Sequence, residues 1–262
     1  ARKLARMKLG LALLALTAQL APCTALAAEP ASIHPAITGA IESPDRPAKD
    51  RERDEGRKPG LVLEFFGVRP GQTLIEYFGA GGITAEILSR AVGPKGKVYM
   101  QNPPWTLERP NMVKAVADRL ANNRLPNVVR LDKSLNDLGL RPSSVDGAVM
   151  NLVFHDMFWL SEDVPDVLKD LYTALRPGGF VGVVDHAAPE GTGAEFAKDR
   201  DNGPHRIDED FARRMFLDAG FVLEAETDVL RNRDDDRQKP FFAAEMKGKT
   251  TDRFVLRFRK PR

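Results

Sequence analysis

The chain has 262 residues, 42% of them hydrophobic and 29% charged, with a formal net charge of +2 at pH 7. This is globular composition, long enough for one α/β domain with tails, and the interleaved charges leave no electrostatic footprint for nucleic acid. The one cysteine, Cys23, lies in a segment expected to be removed, which excludes a disulfide framework and a cysteine-built metal site.

Arg2, Lys3, Arg6 and Lys8 precede an uncharged apolar run over 9–20, and Ala25-Leu26-Ala27 offers small residues for cleavage before Ala28. Residues 1–27 therefore read as a signal peptide, with Met7 as an alternative start, and the expected location is periplasmic or secreted. The run falls short of the roughly 20 residues of a membrane span, so no stable membrane insertion is expected after cleavage. Residues 28–56, rich in Pro, Asp, Arg and Ala, read as a linker and a charged N-terminal arm. The folded domain is expected over 57–262. It opens on a short helix begun by Pro59, whose Leu61, Val62, Leu63, Phe65 and Phe66 can cover the edge of a core.

A short apolar strand over 73–77 carries Glu76 near its end, and Gly79, Gly81 and Gly82 crowd the turn that follows. Ile83, Ile87, Leu88, Ala91 and Val92 recur at helical spacing, Gly93-Pro94-Lys95-Gly96 stops that helix, and 97–101 alternates like a strand. This βαβ unit with a glycine-rich loop is a cradle for a nucleotide-like cofactor. A helix over 106–122 and a strand over 128–131, ending at Asp132, come next. A central strand over 144–154 is followed at once by His155-Asp156. Val164, Val167, Leu168, Leu171 and Leu175 mark another helix, ended by Pro177-Gly178-Gly179, and a strand over 180–184 runs into Asp185-His186. Asp208 caps the next helix, and strands over 221–229 and 254–258 close the chain. Alternating helices and strands predict a mostly parallel seven-stranded sheet covered on both faces. The last two strands have no helical crossover between them, which predicts an antiparallel pairing at one edge.

The glycine unit, DGAVMNLVFHD and LRPGGFVGVVDH resemble the class I S-adenosylmethionine-dependent methyltransferases over roughly 57–261. HRIDEDF, LRNRDDDR and DRFVLRFRKP are similar to C-terminal signatures of a group of exported, periplasmic bacterial predicted methyltransferases. The resemblance implies a Rossmann-like fold, S-adenosyl-L-methionine as cofactor and methyl transfer to a small-molecule acceptor. It assigns cofactor contacts to Glu76, Gly79, Gly81, Gly82, Asn102, Asp132 and Asn151. Two departures accompany it. Phe78 and Ala80 stand at two of the three alternate glycine positions, and Gln101-Asn102 ends the second strand where an acidic residue normally binds the ribose.

Glu76 also reads as a buried carboxylate satisfied by backbone N–H groups, and Asp132 as a loop cap; the strand-end position favours cofactor contact for Glu76. His155, Asp185, His186 and His205 are the candidate catalytic residues. Two neighbouring strands would deliver the first three to one rim with Asp156, and His205 can fold over it. Their spacing matches no named metal motif, and no metal is assigned to them. Trp105, Phe158 and Trp159 follow strands and can line a substrate pocket, while Asp234-Asp235-Asp236 reads as a solvated loop. Two other functions fit the same residues: a non-catalytic ligand-binding protein on an altered methyltransferase fold, and a metal-dependent hydrolase built on the histidine rim.

Overall fold

The computed structural model describes residues 32–160 and 163–262, so the expected signal peptide lies outside the described residues. Four helices come first: α1 (Pro35–Glu42), α2 (Ala48–Arg51), α3 (Asp54–Arg57) and α4 (Pro59–Phe66). The sheet unit then runs β1 (Thr73–Tyr77), α5 (Ile83–Val92), β2 (Lys97–Asn102), α6 (Pro110–Leu120), β3 (Val128–Asp132) and β4 (Val145–Asn151). It continues with α7 (Asp156–Trp159), α8 (Val164–Ala174), β5 (Leu175–His186), α9 (Glu209–Asp218), β6 (Val222–Thr227) and β7 (Arg253–Arg259). No described helix is long and apolar enough to cross a membrane.

The strands form one seven-stranded sheet in the order β3-β2-β1-β4-β5-β7-β6. β1 to β5 pair in parallel, and β7 is antiparallel to both β5 and β6. The expected reversal is therefore present, one strand in from the edge. Apolar residues fill both faces: Tyr77, Met150, Leu168, Phe216 and Phe258 belong to one cluster, and Phe66, Leu74, Leu88, Val98 and Val255 to the other. Strand order reverses between β1 and β4, which places the ligand crevice at the carboxyl ends of those strands.

A packed helix stands before residue 48 where a linker is expected, and the charged arm over 48–56 carries α2 and most of α3. α1 packs on α5 and buries Ile37 and Ala40. Arg46 donates to the Ile41 carbonyl at 2.6 Å and forks onto Asp54 at 2.7 and 2.9 Å. Asp50, 3% exposed, pairs with Arg119 at 2.7 Å. Ile33, Ile37 and Ile41 do recur at one-turn spacing, but in so short a helix among prolines and charges they give almost no periodic signal. A second departure concerns the triple aspartate. Asp235 is no solvated residue; its side chain is 1% exposed and paired with the fully buried Arg206 at 2.7 Å. The extended run of β5 also begins at Leu175, so Pro177, Gly178 and Gly179 continue the strand rather than end a helix.

Candidate active site

β1 delivers the glycine loop to the carboxyl edge of the sheet. Phe78, Ala80 and Gly82 all have positive φ, at 49°, 48° and 73°. The backbone thus keeps the shape that alternate glycines would give it, although two of the three residues carry side chains. Left-handed non-glycine residues cost about 1–3 kcal/mol each and persist where surrounding structure holds them. Here β2 holds them. Phe78 N–H donates to Gln101 Oε1 at 2.8 Å, Gly79 N–H to the Gln101 carbonyl at 2.8 Å, and Ala80 N–H to Asn102 Oδ1 at 2.9 Å. Asn102 Nδ2 donates back to the Ala80 carbonyl at 3.1 Å. The two amides that replace an acidic strand end are clamps on the loop.

Glu76 lies under this loop, 4% exposed, and accepts from Ala85 N–H at 3.0 Å. Burial raises its pKa to about 8, against hydrogen bonds from Thr84 and Ala85 and the charges of Arg119 and Arg57. Between the ordinary value of 4.5 and about 8, the folded chain holds a proton that the unfolded chain has lost. This contribution to stability is therefore greatest at low pH and falls by roughly 1.4 kcal/mol per unit as pH rises through that window. Glu76→Gln keeps an acceptor for Ala85 and cannot ionise, so its urea midpoint should change less than the parent's between about pH 5 and about pH 8. Equal pH slopes in the two proteins would remove Glu76 as the source.

β4 and β5 lie side by side, Asn151 level with Val184, and their ends build the histidine rim. Asp185, fully buried, accepts from three donors: His155 N–H at 2.8 Å, His155 Nδ1 at 2.6 Å and His186 N–H at 2.8 Å. The Nε2 of His155 lies 3.2 Å from Asp156 Oδ1, which also accepts from Trp159 Nε1 at 2.7 Å. His205 has a left-handed backbone (φ 54°) and donates Nε2–H to the Arg200 carbonyl at 2.6 Å, leaving Nδ1 at 3.9 Å from Asp156. Desolvation opposes a charge on His155, yet Asp185 and Asp156 outweigh it and raise its pKa to about 10. Asp156 is held well below the carboxylate range: burial works the other way, but His155 and His205 prevail. Burial first, then the charges of His155, Arg253 and Arg206, push His186 down, so its imidazole is neutral. Its Nδ1 lies 2.6 Å from Thr251 Oγ1, and its ring stacks on Phe241 at 5.3 Å.

The loop and the rim open on one cleft of about 510 Å³. Glu76, Gly79, Gly81, Asn151, His155, His186 and His205 line it. Asp185 lies beneath as a positioning residue. Gly82 faces Met100 and Arg119, Asn102 is spent on Ala80, and Asp132 pairs with Arg130 at 2.7 Å on the far strand; none of these lines the cleft. Trp105 packs against Phe78 and Trp159 instead of lining the cleft. Sequence reasoning missed the opposite wall, made by Arg57, Phe241, Phe242, Lys249, Thr251 and Arg253. A signal was available, because an antiparallel last strand must begin where β5 ends; Arg253 is in register with His186.

S-adenosylmethionine fits one end of this site. The cleft has the size of a cofactor pocket. Its glycine loop has the required backbone, and a Cβ at Gly79 would run into the Glu76 carboxylate and Met100 Cγ, so that position favours bare backbone. Glu76, Gly79, Gly81 and Arg57 suit the amino-acid end. The nucleoside end has no carboxylate at the end of β2 to meet it.

Comparison with known proteins agrees with this geometry. Residues 107–183 match the methyltransferase-domain family. The chain is 26% identical over 132 residues to an arsenite methyltransferase of Halobacterium salinarum, a match covering 50% of this chain and 32% of that protein. The matched segment thus spans about a third of the length of its curated relative. A SAM-dependent methyltransferase from Aquifex aeolicus superposes with a TM-score of 0.57 at 24% identity, covering 84% of this chain and 96% of that one. An arsenic(III) S-adenosylmethionine methyltransferase from Chlamydomonas reinhardtii gives 0.54 at 17% identity, covering 88% and 75%. With its strand order, its glycine-loop backbone and its matched segment, the chain has the fold of the class I S-adenosylmethionine-dependent methyltransferases and carries a methyltransferase-domain match over 107–183.

Proposed function

We propose that this chain transfers a methyl group from S-adenosylmethionine to a small acceptor held between loop 78–82 and the histidine rim. The observation that carries this reading is that a glycine-type loop over a buried carboxylate and a rim of three imidazoles open on the same cleft. When bound, the cofactor supplies an electrophilic methyl group. The chain's own residues align the acceptor with it and manage its proton. Thr251 Oγ1 holds the His186 ring at Nδ1, and in the tautomer that carries its proton there Nε2 is the proton acceptor. Phe241 and Phe242, 51% and 55% exposed, offer aromatic faces at the mouth and exclude water when covered. Lys249 and Arg253 add positive charge to the cleft, which favours an anionic acceptor. The Halobacterium relative is named for a soft arsenic species, but the cleft offers imidazole and carboxylate and no thiolate among its described residues, so an oxygen or nitrogen acceptor suits it better.

Calorimetric titration of the full chain with S-adenosylmethionine tests the reading. Binding is expected, weak for want of a ribose carboxylate, and Gly79→Ala should abolish it by driving its Cβ into Glu76. No heat with the parent protein, or unchanged binding in a folded Gly79→Ala variant, would count against the pocket. One observation favours a second reading, a ligand-binding protein without turnover: Asn102 is committed to the loop and unavailable to a nucleoside. Binding without methyl transfer to any anionic acceptor would select it. The basic, apolar and small-residue pattern of residues 1–27 supports export as part of the proposal. Sequencing the mature N-terminus should find it near Ala28, and an intact start in the cytosol would refute export.

A further inference from the structure

We propose that His155, Asp156 and His205 bind one divalent transition-metal ion at the acceptor side of the cleft. One ligand atom from each lies within 4.8 Å of the other two. Asp156 Oδ1 is 3.2 Å from His155 Nε2 and 3.9 Å from His205 Nδ1. Donors about 2.0–2.1 Å from a cation stand roughly 3.0–3.4 Å apart, so a small closure of the His205 loop completes the set. The chain separates 155–156 from 205 by a helix and a strand, which is why no motif spacing announced them.

What distinguishes this trio from a chance cluster is that every member is held by an outer partner that turns its donor atom inward. Asp185 takes Nδ1 of His155, so Nε2 faces Asp156. The Arg200 carbonyl can only accept, so it takes Nε2–H of His205 and leaves a lone pair on Nδ1. Trp159 Nε1 donates to Asp156 Oδ1 itself and fixes the oxygen that both imidazoles face. Orientation of ligating imidazoles by a carboxylate and a carbonyl is the arrangement that metal sites use. A proton and a metal ion compete for the same place on His155 Nε2. Two imidazoles and one carboxylate suit zinc, iron, cobalt or nickel, and three protein ligands leave positions open. Those positions face the cleft beside His186 and Phe241, where an acceptor oxygen or nitrogen would complete the coordination and be polarised.

The test needs neither cofactor nor acceptor, so its failure would leave the methyl-transfer reading standing. The full chain, purified without a histidine tag and stripped by chelator, is titrated with Zn²⁺ and separately with Co²⁺. One ion per chain is expected, with visible cobalt bands of a site rich in nitrogen and oxygen. His205→Gln, in a surface loop and expected to fold by circular dichroism, should weaken binding at least about tenfold, as should Asp156→Asn, while Asp185→Asn should weaken it about 10–100-fold through His155. His34→Gln, far from the cleft at the start of α1, should leave it unchanged. Absence of stoichiometric metal in the parent would overturn the proposal. So would undiminished affinity in folded His205→Gln and Asp156→Asn, or loss of the site in His34→Gln.

Discussion

Replacing Arg206 by methionine is expected to lower unfolding stability by about 3–5 kcal/mol, the cost of stripping one partner from a buried ion pair. Arg206 is 0% exposed and meets Asp235 through both terminal nitrogens, at 2.7 and 3.1 Å. It also donates to the Lys239 carbonyl at 2.7 Å and the Ala187 carbonyl at 3.0 Å. Methionine fills much of the volume but supplies no donor. Asp235 would keep only backbone partners, Asp252 N–H at 2.6 Å and Arg237 N–H at 3.3 Å, and the carboxylate that Arg206 holds below its ordinary pKa would be left buried and underpaired. The effect reaches the site, because this pair ties the end of β5 to the segment that carries Phe241, Phe242 and the start of β7. Urea denaturation measures it. Arg206→Met with Asp235→Leu should recover more than half of the loss, since removing both charges is far cheaper than removing one. A single variant within about 1 kcal/mol of the parent would contradict the account.

Such a pair marks the boundary of what the amino-acid pattern reveals. The βαβ unit was legible because its helix buries one face at regular spacing and its loop concentrates glycines. His155 and His186 were legible as partners because they follow strands that right-handed crossovers place side by side. Asp235 and Arg206 were not, for polar residues in loops carry no periodicity, and 29 positions separate them. The loop-clamping role of Asn102 was hidden for a different reason. Its position identified it as a ligand contact, while its amide, unlike a carboxylate, can both accept from and donate to the Ala80 backbone. The wall formed by Arg57 and Arg253 needed tertiary information from both ends of the domain, joined where Arg253 Nη1 donates to the Gly56 carbonyl at 2.9 Å.

Asp185→Asn is expected to be damaging out of proportion to its size, losing several kcal/mol of stability and at least about 100-fold in turnover per folded molecule. The reason is a count of donors. Asp185 Oδ2 accepts His155 N–H, while Oδ1 accepts both His155 Nδ1–H and His186 N–H. Asparagine has one acceptor oxygen for these three donors. With its oxygen in the Oδ1 place, its NH₂ group confronts the His155 backbone N–H at a fully buried position. With the oxygen in the Oδ2 place, NH₂ confronts the His186 N–H and compels His155 to accept at Nδ1, which moves the ring proton to Nε2 and turns a donor toward Asp156. Each orientation leaves a buried backbone donor unsatisfied, at about 1–3 kcal/mol, and removes a charge that fixes the imidazole. Nitrogen chemical shifts of His155 report which orientation wins, and they separate a positioning role from a merely structural one. Aspartate restored at 185 beside a harmless surface change should return shifts and turnover together. An Asp185→Asn protein with parental His155 shifts, stability and activity would show that the three hydrogen bonds do not hold the rim.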